Sequence, residues 1–523
     1  MTISFHKLDR LECCPDSALN TSYLQPDNWD DFGYKTLFNL TVFDGQGTKF
    51  EIGSVKIGFV GQSGGWSGGQ IPKQFEVLSN KFYSLGQDTD YYKNIVDELS
   101  DEMAVNVLKA LGDVTHDPHR LEIAKEEGAF ITSLLRSVNY STIERQFRRI
   151  LRHEEPLTTY DFLYEKKANE HYSGIKVEFK VEPDIKPSSN IHILIGRNGV
   201  GKTTLLNNMV DALLPDRGAT RDTGFFSTSS SFLPDGYFTG VVSVSFSAFD
   251  PFTPPEDQPN TNAGIRYYYI GLKKHIVQND QEQWGLKGKE GLCRDFTNSL
   301  KLCFALIAKR KRWVIAVKKL ESDLNFAVMD LRQLINDYAV DTSDNKQVFT
   351  EAAKALFKRM SSGHAIVLLT VTKLIETVEE KTLVLLDEPE SHLHPPLLSA
   401  FIRSLSDLLV NRNGVAIIAT HSPVVLQEVP KSCVSILRRT RLVANIDRPE
   451  NETFAENVGV LTREVFGLEV SKSGFYDLLA SSVAKGNSYE EIEQEYNYQL
   501  GFEGKAILRS MVTVRDSQEG DGI

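Results

Sequence analysis

Between residues 36 and 43, and again from 50 to 60, apolar and polar side chains alternate with the two-residue period of a half-buried strand. Gly45-Gln46-Gly47 between them predicts a hairpin. Residues 91–111 and 121–152 change to helical spacing. Strand patterns return at 174–181 and 241–246, and three short apolar runs, 191–195, 383–386 and 415–419, have strand length. The run at 383–386 is unbroken, as in a strand covered on both faces. Helical spacing fills 295–338 and 365–378. Strands interleaved with helical segments predict an α/β fold built on a parallel sheet.

These changes of period divide the chain into an α+β N-terminal block (1–170), a first sheet lobe (171–285), an inserted helical subdomain (286–345), a second sheet lobe (346–470) and a helical tail (471–523). The Pro/Asn-rich stretch 253–262 reads as a connector, the Gly/Ser-rich stretch 61–69 as a mobile loop, and 489–498 as an acidic amphipathic helix. The polar end, 516–523, is expected to fray.

A chain of 523 residues with 41% hydrophobic and 24% charged residues has the composition of an ordinary globular protein with several cores. No apolar run reaches the roughly 18 residues that span a bilayer, and the first ten residues lack the layout of a signal peptide; the expected location is the cytoplasm. Cys13, Cys14, Cys293, Cys303 and Cys433 fall in no metal spacing and suit free thiols. A net charge of −12 excludes a generally basic nucleic-acid coat and leaves local patches.

The candidate chemistry gathers where strands end. After 191–195 comes Gly196-Arg197-Asn198-Gly199-Val200-Gly201-Lys202-Thr203-Thr204, a G-x-x-x-x-G-K-[ST] phosphate loop opening a helix. Backbone N–H groups around Gly196, Gly199 and Gly201 cradle phosphate oxygens, helped by the helix N-terminus. Lys202 reaches the β- and γ-phosphates of ATP, and Thr203 offers its hydroxyl to Mg²⁺. The run 383–386 delivers Asp387 and Glu388. Asp387 fits the Mg²⁺ side, and Glu388 fits the group that orients or deprotonates the attacking water. The run 415–419 ends in Thr420-His421-Ser422-Pro423, where His421 can donate to a γ-phosphate oxygen.

Phosphate loop, acidic pair and histidine in this order resemble the ATP-binding-cassette class of P-loop ATPases, in its soluble SMC-like and OLD-like branch. The resemblance implies an ABC/SMC-like head whose Ser-Gly signature completes a partner's site across an ATP-sandwiched dimer. Ser362 and Gly363, within Met360-Ser361-Ser362-Gly363-His364, stand in that place. Trp66-Ser67-Gly68-Gly69-Gln70 spells a transporter signature more closely but precedes the phosphate loop, and is set aside. Where the class carries a Mg²⁺-coordinating glutamine, this chain has Ser247-Ala248-Phe249-Asp250, leaving Asp250 or Ser247 as the replacement. Asp387-Glu388-Pro389-Glu390-Ser391-His392-Leu393-His394-Pro395 looks like the soluble branch. Its two histidines read as structural or dimer contacts rather than zinc ligands, since no cysteine or third ligand adjoins them in sequence.

Across most of the chain these motifs are similar to those of the PtuA family, the ATPases of Septu and retron-associated anti-phage systems. That resemblance implies a homodimer or higher oligomer, a small HNH nuclease partner (PtuB-like) and, in retron modules, a reverse transcriptase with its RNA and DNA. A RecF-like repair ATPase stays open as an alternative. So does a transporter-energising subunit, against which the missing glutamine and the large N-terminal block both speak. The residues after His421 show no Glu paired with a later Asp-x-Asp in strand context, so no intrinsic nuclease site of the TOPRIM kind is expected. The run Lys309-Arg310-Lys311-Arg312-Trp313 either grips a nucleic-acid backbone and stacks a base, or forms a solvated helix face paired with Glu321 and Asp323. Arg145, Arg148, Arg149 and Arg152 form a smaller basic group.

Overall fold

The computed structural model describes residues 3–520 apart from 11, 139, 141, 153–157, 170–172, 184, 215–222, 230, 248–251, 260–263, 279–280, 344–345, 441–442 and 471–473. Its central sheet has seven strands in the order Arg266–Gly271, Gly240–Ser245, Thr382–Asp387, Val415–Thr420, Ile191–Ile195, Val434–Thr440 and Val443–Asp447. The first six are parallel and the last antiparallel. Every position of Ile191–Ile195 and Val415–Thr420 is buried, as apolar runs covered on both faces require.

Alternation along these strands feeds two cores. Ile193, Ile195, Val384, Leu386 and Ile418 face helical residues that include Phe296, Trp313, Leu368 and Phe401. Leu194, Leu383, Leu385 and Ile417 face Leu205, Leu206 and Met209 of the helix Lys202–Leu213, together with an antiparallel sheet of Ile175–Val181, Tyr160–Lys166 and Phe225–Ser227. Parallel pairing places the carboxyl ends of the phosphate-loop, acidic and histidine strands along one edge, where open α/β sheets take their ligands.

The expected N-terminal hairpin forms between Leu37–Phe43 and Lys49–Phe59. Asp44 Oδ1 accepts the N–H groups of Gln46 and Thr48, each at 2.8 Å. The hairpin belongs to a six-stranded sheet whose core includes Tyr91, Tyr92 and Ile95 of the helix Thr89–Glu98.

Other expectations need correction. Residues 91–111 form two helices, Thr89–Glu98 and Asp101–Leu111, because the Ser100 hydroxyl caps the second by accepting the N–H of Met103. Residues 121–152 break into Pro118–Ala124, Gly128–Thr132 and further short helical segments ending with Arg148–Leu151. The Gly/Ser stretch 61–69, exposed at most positions, is tied down at several points. Gln62 and Ser67 are buried, the Gly65 N–H donates to the Gly33 carbonyl at 2.7 Å, and the Lys7 ammonium sits over the Trp66 ring. The tail has its own small core of Leu479, Val483, Ile492, Leu508 and Val512, and the helix Phe502–Gly520 runs into the end expected to fray. Among the described residues no helix is long and apolar enough to cross a membrane.

Much of the basic run is turned inward. Helix Ile307–Leu320 turns Lys309, Arg312 and Trp313 into the protein. Trp313 is fully buried and donates from Nε1 to Thr372 Oγ1 at 3.0 Å, so no base can stack on it. Lys309 Nζ meets Glu379 Oε1 at 2.6 Å, and Arg312 meets Asp88 Oδ2 at 2.5 Å. Arg412 bridges Asp88 and Glu379 at 3.0 and 3.1 Å. Burial pushes the Asp88 carboxyl up, yet the guanidiniums of Arg312 and Arg412 hold it well below the usual carboxylate range. The solvated-face reading fails too, since Glu321 pairs with Arg332 at 3.1 Å and Asp323 meets two histidines. Lys311 remains exposed. In the smaller basic group, Arg148 Nε donates to the Thr115 carbonyl at 3.4 Å, and the Arg145 side chain lies outside the described residues.

Candidate nucleotide site

Strand register sets the level of the site. Asp387 pairs with Ala419, and Ile195 with Thr420, so the residues that follow these strands emerge together. Gly199 and Gly201 hold φ of +80° and +99°, the left-handed values that only glycine adopts freely, and Gly201 opens the helix that begins at Lys202. No side chain caps that helix, which leaves its first N–H groups facing the cleft. Gly196 answers a different need, because a Cβ there would lie 2.3 Å from the Leu437 carbonyl oxygen of the adjoining strand. Arg197, Asn198 and Gly199 at the loop's crest and Thr204 behind it are exposed.

Lys202 is only 4% exposed, and its Nζ donates to the carbonyls of Gly196 and Arg197 at 3.0 Å each. Burial pulls its pKa down, while Glu388, Asp387 and Glu390 nearby push it up. Thr203 Oγ1 donates to Asp387 Oδ2 at 2.8 Å. A hydroxyl and a carboxylate thus converge as hard oxygen donors where the phosphate loop meets the acidic strand, a donor set that suits Mg²⁺. Asp250, the third candidate magnesium ligand, lies outside the described residues.

Glu388 has φ of +46°, uncommon for a residue with a side chain, and its N–H donates to the Ala419 carbonyl at 2.9 Å. Its Oε1 is 3.6 Å from His421 Nδ1. Glu390 accepts the Thr420 hydroxyl at 2.5 Å and the His421 N–H at 2.8 Å, fastening the end of the histidine strand. Its Oε1 is also 3.2 Å from His421 Nδ1, without the alignment of a hydrogen bond. The His421 ring stays 42% exposed while its backbone is held by Glu390.

Ser362 and Gly363 occupy the first turn of the helix Ser362–Thr377, which Ser361 caps by accepting the His364 N–H. Ser362 is exposed, and a Cβ on Gly363 would lie 2.5 Å from the His392 carbonyl oxygen. Gly363 therefore packs on the loop that follows Glu388, beside the exposed Ser362. Lys202, Thr203, Asp387, Glu388 and His421 assemble at the head of that same loop.

Three contributors escaped sequence reasoning. Glu390 sits in the same acidic phrase as Glu388, and that proximity was the available signal. Arg439 and Phe466 line an open cleft of about 790 Å³ together with Arg197, Asn198, Gly199 and His421. Arg439 arrives on the strand beside the phosphate-loop strand, an adjacency that no local motif announces.

Residues 318–427, which include Ser362, Gly363, Asp387, Glu388 and His421, match the family described as "AAA domain, putative AbiEii toxin, Type IV TA system". Over 529 aligned residues the chain is 46% identical to protein ea59 of Escherichia phage lambda, covering 98% of this chain and 99% of that protein. The chain belongs to the ea59 family. Solved structures similar to this ea59-family chain include the ADP conformation of MJ1267, an ATP-binding cassette of an ABC transporter (TM-score 0.30, 14% identity, 60% of this chain and 99% of that one). Others are UvrA2 from Deinococcus radiodurans (TM-score 0.26, 15% identity, 63% and 41%) and an SmcHead bound to the C-winged helix domain of ScpA (TM-score 0.25, 11% identity, 55% and 97%). None of the three superposes closely enough to inform the reading of individual residues. The fold is α/β: a mostly parallel seven-stranded sheet that carries a phosphate-loop motif, with inserted helices on one face and an N-terminal layer of strands and helices.

Proposed function

We propose that this ea59-family chain binds ATP with Mg²⁺ and hydrolyses it to drive a conformational switch. One observation carries the reading: Lys202, Thr203, Asp387, Glu388 and His421 converge at the carboxyl edge of a single parallel sheet. Lys202 and the N–H groups of the loop hold the β- and γ-phosphates, while Thr203 and Asp387 hold the cation, which neutralises phosphate charge when bound. Glu388 takes the proton of the attacking water, and His421 donates to the γ-phosphate. Two copies close on the nucleotide, with Ser362 and Gly363 of one facing the phosphate loop of the other; the exposure of Ser362 supports this arrangement. Glu388→Gln should lower ATP turnover by at least about a hundredfold while nucleotide binding persists and an ATP-bound dimer accumulates. Turnover at the wild-type rate would remove Glu388 from the role of base.

The finer reading is that the switch restrains or licenses an HNH nuclease in an anti-phage system of the PtuA kind, in some modules beside a reverse transcriptase. Motif resemblance supports it. Affinity purification of the tagged chain from its native host is the test, with a co-purifying nuclease as the expected result. Recovery with repair factors at DNA ends would favour the RecF-like alternative.

A further inference from the structure

Away from the phosphate loop, three segments distant in sequence bring metal-ligating side chains together. Asp323 ends the turn after the inserted helix Ile307–Leu320, His364 lies in the first turn of the helix Ser362–Thr377, and His394 immediately precedes the helix Pro395–Asn411. Asp323 Oδ1 is 3.1 Å from His364 Nε2, and Oδ2 is 2.8 Å from His394 Nε2. All three ligand atoms lie within 4.8 Å of one another.

We propose that Asp323, His364 and His394 form a binding site for a divalent transition metal of the Zn²⁺ class. Two imidazoles and one carboxylate are the donors such ions take, whereas Mg²⁺ and Ca²⁺ prefer oxygen alone. Ligands about 2.0–2.1 Å from a tetrahedral ion stand about 3.3 Å apart. The two Asp323–histidine contacts, at 3.1 and 2.8 Å, lie near that spacing, and bringing all three donor atoms, now within 4.8 Å of one another, onto one ion asks for side-chain shifts of up to about 1.5 Å.

The surroundings hold the donors in place as outer-shell groups of metal sites do. Ser361 Oγ lies 2.6 Å from His364 Nδ1, which fixes the ring with Nε2 toward Asp323. The N–H groups of Asn325 and Phe326 hold Asp323 Oδ1 at 2.8 and 3.2 Å, and the Phe326 ring packs against His364 with centroids 5.0 Å apart. Asp323 and His364 are 7% and 12% exposed, whereas His394 is 49% exposed, so the cluster opens to solvent on one side and leaves room for a water as fourth ligand. The pair His392 and His394 looked incomplete in sequence because its completing ligands lie far away along the chain. Of the two, His394 alone joins the cluster. Occupied, the site ties the inserted helices to the Ser362–Gly363 turn and to the loop after Glu388.

A plain relay, in which both imidazoles donate to Asp323, would use the same contacts, and metal titration separates the two. Full-length protein freed of metal by chelation is titrated with Co²⁺, a visible probe of Zn²⁺ sites, and then with Zn²⁺ in competition. The expected result is a four-coordinate visible absorption that saturates at a single equivalent and is erased by Zn²⁺. His394→Ala should weaken cobalt binding by at least about a hundredfold, since even outer-shell losses cost 10- to 100-fold. His392→Ala, at the exposed neighbour, should leave it unchanged. No saturable band in the wild type, equal binding by His394→Ala, or loss on His392→Ala would each overturn the site. If circular dichroism shows that His394→Ala does not fold, Asp323→Asn, which keeps a capping oxygen but not the charge, is read on the same scale.

Discussion

Lys202 and Lys309 are both lysines buried to within a few per cent, at 4% and 3% exposure, and both lie among carboxylates. Their surroundings differ in one respect. Lys309 is neutralised within the protein by Glu379 and donates to the Glu376 carbonyl as well, each at 2.6 Å. Lys202 bonds to two carbonyls and, among the described residues, makes no ion pair. The first arrangement is complete, whereas the second holds its cation by carbonyls alone among the described residues, as the proposed phosphate site requires. A buried charge therefore signals a ligand through the partner it lacks rather than through burial itself.

The comparison is tested most severely by removing the hub of the completed network. Arg412→Ala leaves Asp88 to Arg312 alone and Glu379 to Lys309 alone, with a cation lost from the interior, and about 3 kcal/mol of stability or more should be lost in denaturant melts. Nucleotide affinity of the fraction that stays folded should be unchanged. Lys202→Ala should do the reverse: calorimetry should find Mg²⁺·ATP binding weakened by about 2–3 kcal/mol or lost outright, with the melt close to wild type. A melt that falls as far as that of Arg412→Ala would mean that Lys202 is structural.

The smallest effect concerns Glu380, which burial pushes up to about 7 beside Thr89 and the Arg412 network. Its folded value exceeds the ordinary carboxylate value near 4.5, so its contribution is fully favourable below pH ~4.5 and is lost as pH rises through about 7. Glu380→Gln should flatten that decline, stabilising the protein at pH 8 relative to pH 5 by on the order of 1 kcal/mol and at most about 3 kcal/mol. A wild-type pH profile in the variant would place the titration elsewhere.

Residues whose role is set by their immediate neighbours were legible in sequence. The phosphate loop, Asp387, Glu388 and His421 each lie at the end of an apolar run, and a parallel sheet brings such ends together. Helix ends were less legible, because Ser100 interrupts an apolar periodicity that otherwise continues. Least legible was the fate of charge. Nothing local distinguishes Arg312, gripped by Asp88, from Lys311 beside it in solvent. That difference follows from which face of one helix meets the N-terminal layer, a matter of tertiary packing. His394 likewise gains Asp323 and His364 as neighbours only when the chain folds.

Asp88 begins the helix Thr89–Glu98 and accepts guanidiniums from two further elements, the inserted helix that carries Arg312 and the end of Pro395–Asn411 at Arg412. One carboxylate at a helix origin thus fastens the amino-terminal layer both to the inserted helices and to the helix that follows the acidic strand, so a change at Asp88 is felt in all three.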